Sequence, residues 1–283
     1  MNNLKSESLP HFLCIGAQKA ATTWLWTMLR QHPEIWMPPI KELHFFDHIY
    51  IPKHRYWTLY YINCCVKDYL KLHVQTEKID LSLLKYLVDL ALSSCPFTEE
   101  WYRSCFARPA ACGKLLGDIS PDYCTISEEG VLYVKKLLGE ELKIIYMIRN
   151  PFNRAISQLK MNLTRRGEEG GTDDFWLAAA KDPVIVQRGD YETYVPRWES
   201  IFPKLNILYL PYGDVINDPS GLLRKTEKFL GISNHHYKET EKRVNETKEA
   251  YVPQVAVNYL KQLLAPQSEF LIKHFGEAFY DKF

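Results

Sequence analysis

The sequence predicts an α/β protein with a central parallel sheet flanked by helices, as a single domain over residues 1–283. Two observations predict it. Short apolar runs alternate with amphipathic helical patterns along most of the chain. The clearest run, Lys143–Ile148, is continuous and rich in β-branched residues, which suits a central strand covered on both faces. No internal repeat or low-complexity linker divides the chain.

The elements follow in order. Residues 1–10 are polar and carry no apolar core of a signal peptide. His11–Ile15 reads as a strand, and Gly16 permits a sharp turn. Thr22 and Thr23 stand where a helix cap is expected, and Trp24, Leu25, Met28 and Leu29 follow at helical spacing. Glu34–Met37 reads as a second strand, broken by Pro38 and Pro39. Residues 48–110 carry helical signals, Leu81–Leu92 and Phe97–Cys105, and read as a helical insertion or lid over the sheet. Further strands are expected at Lys114–Ile119 and Asn206–Leu210, with helices at Ser127–Leu138, Phe152–Leu163, Tyr191–Ile201 and Pro219–Leu230. The tail carries two helical patterns, 253–264 and 267–275.

Composition narrows the partners. A net charge of +1 argues against nucleic acid or another polyanion at the level of the whole chain. No apolar run is long enough for a membrane span. Seven cysteines without paired spacing suit reduced thiols and a cytoplasmic protein. Oligomeric state is not readable.

Two stretches carry chemistry. A strand feeding a helix through the small-residue loop Gly16–Thr23 leaves unpaired N–H groups at the helix start, a ready site for phosphate or sulfate. Lys19 adds a positive charge there. The spacing is not Walker A, which needs four residues between its glycines and then Lys-Ser/Thr. The second stretch follows the strongest strand. Arg149 at its end is suited to grip a phosphate, and Ser157, two helical turns later, offers a hydroxyl to the same anion. Arg154 is an alternative donor.

In sequence order, GAQKAATTWL, KELHFFD, DISPDY and YMIRNPFNRAISQ resemble the sulfotransferases that use 3′-phosphoadenosine 5′-phosphosulfate (PAPS), nearest the bacterial and heparan-sulfate-type branch. The resemblance covers residues 10–50 and 115–275 and implies their P-loop-like fold. It also implies that Gln18, Lys19, Ala20, Ala21, Thr22, Thr23 and Trp24 form the 5′-phosphosulfate loop. Arg149 and Ser157 would bind the 3′-phosphate, with Arg243 and Lys248 as a loosely matching late basic loop. The family loop usually has Gly at the position of Ala21, and related enzymes often carry a lysine at that of Ile119.

The chemistry then has candidate parts. Lys19 would neutralise charge on the leaving phosphate. By the resemblance Glu42 is the general base, with His44 as the rival base or as its orienting partner. Asp47 is read as orienting Lys41 or the substrate. The expected acceptor is a small molecule, a specialised metabolite rather than a polymer, and no metal is expected. The competing readings are a P-loop kinase and a nucleotide-binding protein without catalysis. A kinase would need an acidic metal ligand at a strand end, where this chain has Arg149.

Overall fold

The computed structural model describes residues 9–76, 80–168, 170–242 and 251–283. Its sheet has five parallel strands: β1 (Phe12–Gly16), β2 (Ile35–Trp36), β3 (Leu115–Ile119), β4 (Lys143–Ile148) and β5 (Ile207–Pro211). Their order is β2-β3-β1-β4-β5. The α/β class with a parallel sheet and flanking helices is therefore as expected. β1 and β4 are buried almost throughout, which explains their unbroken apolar sequences. Strand β2 is shorter than the Glu34–Met37 expectation. It pairs only with Leu115 and Leu116, and Pro38 and Pro39 have no N–H to extend the ladder.

Strand order sets the position of the site. From β1 the chain moves outward to β2, whereas from β3 it crosses β1 to reach β4. The connections thus diverge around β1, and the carboxyl ends of β1, β3 and β4 form the topological switch point where such sheets bind ligands. Those ends carry the Gly16 loop, the Ser120 turn and Arg149.

Helix α1 (Thr22–Leu29) buries Trp24, Leu25, Met28 and Leu29 against the sheet. Residues 48–110 are largely helical: α2 (Phe45–Tyr50) runs into α3 (Arg55–Thr76), then α4 (Leu81–Ala91) and α5 (Glu99–Phe106). Helix α3 escapes a periodicity reading because its aromatics point both ways. Trp57 and Tyr61 face His44, while Tyr56 and Tyr60 are exposed. Helix α6 (Glu128–Leu138) is capped by Ser127, whose side-chain oxygen accepts from Gly130 N. Helix α7 (Pro151–Arg166) begins at Asn150, which caps Asn153 N, with Pro151 at the first position.

Beyond α7 lie α8 (Asp173–Ala180), α9 (Pro183–Gln187), α10 (Tyr191–Ile201), α11 (Asp214–Asn217), α12 (Pro219–Leu230), α13 (Gln254–Phe275) and α14 (Glu277–Tyr280). The two tail patterns form one helix. Pro266 lies inside α13 and removes one backbone donor, yet Leu260, Leu264, Gln267 and Leu271 share a buried face that spans it. Gln267 also accepts from Glu192 N and donates to Asp190, which ties the proline turn to α10. All seven cysteines are free. Among the described residues no helix is long and apolar enough to cross a membrane.

Candidate functional site

The loop after β1 is held tightly. Ala17 N donates to Met147 O at 2.8 Å, and Ala20 N donates to Ala17 O at 3.1 Å. Gly16 is required by close approach: a Cβ there would lie 2.9 Å from both Cys124 Sγ and Pro121 O. The loop is thus pressed against the Ser120 turn. Thr22 and Thr23 do not cap α1. They are its first two residues, and the cap position is Ala21, in left-handed conformation with no side-chain cap bond. The helix start keeps its backbone donors for a ligand. A left-handed residue at 21 explains why glycine is at home there, since alanine costs about 1–2 kcal/mol in that region.

Positive φ angles cluster at this site. Among the described residues six non-glycine positions have them, and four are Lys19, Ala21, Glu42 and His44. Such conformations persist only where the surroundings enforce them.

The first loop and the Arg149 turn meet directly. Arg149 Nη1 donates to Lys19 O at 2.7 Å, and the guanidinium lies 4.2 Å from the centre of the Tyr212 ring. Arg149 Nε is buried without a hydrogen-bond partner, and no carboxylate pairs with Arg149 among the described residues. Burial lowers the pKa of Arg149, and burial followed by the charges of Arg149 and Arg165 lowers that of Lys19 to about 8. Two crowded cations beside uncapped helix donors fit an anion. Ser157 is buried on α7, two turns beyond Arg149. Arg154 is also buried and donates to Ile185 O, with Nε and Nη1 unpartnered. Trp24 turns its ring into the core, and its indole N–H donates to Thr240 O at 2.8 Å. Arg243 and Lys248 lie outside the described residues.

The Lys41–Asp47 stretch forms a chain of charges. Lys41 pairs with Glu42, Glu42 lies 3.5 Å from His44 Nε2, and His44 Nδ1 lies 3.0 Å from Asp47. Asp47 also holds His54 at 2.6 Å, so it orients two histidines rather than Lys41. Burial alone would lower the pKa of His44. The Asp47 and Glu42 carboxylates outweigh it and push the imidazole up to about 10. Burial would raise the Glu42 carboxyl, but Lys41 and His44 hold it well below the usual carboxylate range. These shifts favour a protonated His44 beside an ionised Glu42, with His44 Nε2 3.5 Å from the carboxylate and without a hydrogen bond of its own.

Surrounding groups fix this cluster. Tyr61 OH donates to Lys41 O at 3.0 Å and Tyr69 OH to Pro39 O at 2.7 Å, so α3 clamps the strand-to-helix loop. The rings of Trp57 and Tyr61 meet His44 edge-on at 4.7 and 5.0 Å. Phe45 N donates to Tyr123 OH, which donates to Asp118. Among the aromatic residues Tyr50, Tyr56 and Trp57 of the helical insertion, Trp57 reaches the cluster, whereas Tyr56 is exposed and Tyr50 packs on Tyr133.

Sequence reasoning missed Arg188 and Tyr212. Arg188 pairs with Asp122 at 2.9 Å and donates to Gln18, so the Gln18 side chain is already engaged. Neither carries a local motif; each reaches the site only through the fold. A cavity of about 570 Å³ lies beside α7 and α13 and contains none of the donor-loop or Glu42-cluster residues.

Comparison with known proteins bears on the family and the fold. Mouse heparan sulfate glucosamine 3-O-sulfotransferase 3B1 is 24% identical over 233 residues, covering 80% of this chain and 47% of that protein. The chain thus spans about half the length of such relatives. A sulfotransferase from Alicyclobacillus acidocaldarius shares the fold at TM-score 0.65 and 23% identity, over 93% of this chain and 94% of that one. Mouse sulfotransferase SULT7A1, solved with PAP, shares it at TM-score 0.51 and 15% identity, over 98% and 91%. The sequence pattern of the Sulfotransferase family matches residues 10–236, so this chain belongs to that family.

Proposed function

We propose that the protein moves the sulfuryl group of PAPS to a hydroxyl or amine of a small molecule, with Glu42 as general base. The observation that carries this is the contact of Arg149 with the Lys19 loop, which sets two anion anchors on one crevice. PAPS supplies an activated sulfuryl group, with 3′-phosphoadenosine 5′-phosphate (PAP) as leaving group. Backbone N–H groups of residues 21–24 and the Lys19 ammonium would hold the phosphosulfate end, and Arg149 and Ser157 the 3′-phosphate. Trp24, with a buried side chain, contributes through the backbone alone, and Ala20, whose N–H is engaged by Ala17, shapes the loop. Glu42, kept ionised by Lys41 and His44, takes the proton that the acceptor loses as its oxygen or nitrogen bonds to sulfur. Lys19 counters the charge that builds on the leaving phosphate.

A small acceptor is supported by the near-neutral net charge and by Trp57 and Tyr61 beside the Glu42 cluster. A cytoplasmic location, supported by seven free cysteines, and a single catalytic unit over 1–283, supported by the one sheet, belong to the same proposal.

The test is calorimetry with PAP, followed by PAP release from PAPS against a panel of small alcohols, phenols and amines. Arg149→Ala should weaken PAP binding by about 10–100-fold, the value of losing charge-assisted hydrogen bonds. A wild type that neither binds PAP nor releases it from PAPS overturns the reading.

The pH dependence has a definite sign. Lys19 in the free protein loses its proton near pH 8, and an anion binds the charged form. PAP affinity should be level between pH 7 and 8 and then fall by up to about tenfold per pH unit, with proton uptake on binding. Calorimetry in buffers of different ionisation enthalpy measures both. An affinity that stays level to pH 9.5 would place Lys19 away from the anion.

A further inference from the structure

The donor loop and the Glu42 cluster are joined through a residue that belongs to neither. Arg188 follows α9, and its side chain is only 16% exposed. Its Nε and Nη2 grip the Asp122 carboxylate at 2.9 and 3.1 Å, and its Nη1 donates to the Gln18 side-chain oxygen, next to Lys19. Asp122 is buried, and one of its oxygens lies within 4.8 Å of ligating atoms of His44 and Asp47. Bonded contacts thus run from Gln18 through Arg188 to Asp122, and Asp122 packs beside His44 and Asp47 of the Glu42 cluster. These three residues have the spacing of a metal site, but Asp122 is already paired with Arg188, and His44 with Asp47.

The surroundings aim Arg188 along this path. The next residue is Gly189, and a Cβ there would lie 2.4 Å from Nε of the buried Arg154. The backbone at 189 can therefore rest on Arg154, which sets where the neighbouring Arg188 leaves the chain. The Nη2 hydrogen bond to one Asp122 oxygen, with Nε 2.9 Å from the other as an ion pair, holds the planar guanidinium against the carboxylate in a way a lysine ammonium does not.

We infer that Arg188 is a positioning residue for sulfuryl transfer, holding the donor loop and the Glu42 cluster at one spacing. The inference rests on the sulfotransferase reading above. In-line transfer needs the reacting atoms about 3–3.5 Å apart, and a shift of about 1 Å can cost about 10²-fold in rate. Donor and acceptor sides are built on different segments, so a side chain bound to Gln18 on one side and to Asp122, which packs beside His44 and Asp47, on the other bears on that distance.

The test uses Arg188→Met, Arg188→Lys and the double variant Arg188→Met/Asp122→Asn. The single Met variant strands Asp122 as a buried unpaired carboxylate and will lose stability. The double variant removes that charge and should regain most of the melting temperature. PAP release from PAPS, to an acceptor or to water, gives kcat and KM, and calorimetry gives PAP affinity. In both Met variants kcat should drop by about 30-fold or more while PAP affinity stays within about threefold, as expected of lost orientation. Arg188→Lys should fall between wild type and Arg188→Met. A double variant with kcat within about threefold of wild type would overturn the inference, because Arg188 would then only neutralise Asp122. Loss of PAP binding in the double variant would also overturn it, assigning Arg188 to the donor pocket itself. Failure of the wild type to bind PAP is a separate outcome that removes the parent reading, and the inference with it.

Discussion

Lys19→Met is expected to lower kcat by about 10²–10³-fold, the loss seen when a group aimed at developing charge is removed. PAP affinity should fall much less, by about tenfold, because one charge-assisted contact is lost from several. The difference between the two numbers is the point. In the proposed complex the helix donors and Lys19 would share the phosphosulfate end, and Arg149 would hold the 3′-phosphate. As the S–O bond breaks, negative charge moves onto the leaving phosphate, and an ammonium at the loop gains in importance. The loop is well suited to this. Lys19 has its backbone at φ 69° and its carbonyl tied to Arg149, so the residue is set before any ligand arrives. Met keeps the length of the stem and removes only the charge. Steady-state PAP release and calorimetry measure the two effects. Wild-type kcat in Lys19→Met would show that leaving-group stabilisation comes from elsewhere.

Glu42→Gln is the second large effect, a fall in turnover of about 10²-fold or more with PAP affinity within about threefold. The carboxylate is ionised across the working range, so the wild-type rate should stay level as pH falls through the usual carboxylate titration. Its low pKa makes Glu42 a weak base towards water. It becomes an adequate base only when the acceptor's own proton turns acidic, as its oxygen or nitrogen bonds to sulfur. His44→Gln separates the two roles. If His44 only braces Glu42, this variant keeps a measurable rate above that of Glu42→Gln. A Glu42→Gln protein with full activity assigns the proton to another group.

Much of this arrangement could be read before the fold was known, and for a local reason. Lys143–Ile148 is a run of apolar residues that only a fully covered strand can use, and Arg149-Asn150-Pro151 marks its end and the start of α7. The turn at Gly16 and the small residues before Thr22 signal a strand-loop-helix within one stretch of chain. Burial period, breaker residues and caps act over a few residues, so sequence carries them. Helix α3 and the join at Pro266 failed the same logic. In α3 the aromatic residues face both ways, and in α13 a shared buried face outweighs the local cost of a proline.

The charge states and the couplings belong to a different class. Chain order placed Glu42, His44 and Asp47 in one cluster, but not which of them would hold a proton. Burial and the partners on each side make His44 the cation and Glu42 the anion, and those partners include rings delivered by α3. Arg188 meets Gln18 across 170 residues of sequence, and Arg149 meets Lys19 across 130. Local periodicity contains no information about such contacts. Alternation and turn chemistry were enough for the parallel α/β architecture and for locating the two strand-end stretches proposed to bind anions. The proton's location, the left-handed backbone at Lys19, Ala21, Glu42 and His44, and the Arg188 link arose from packing distant segments together, because electrostatic energy depends on separation in space and on exclusion of water rather than on position along the chain.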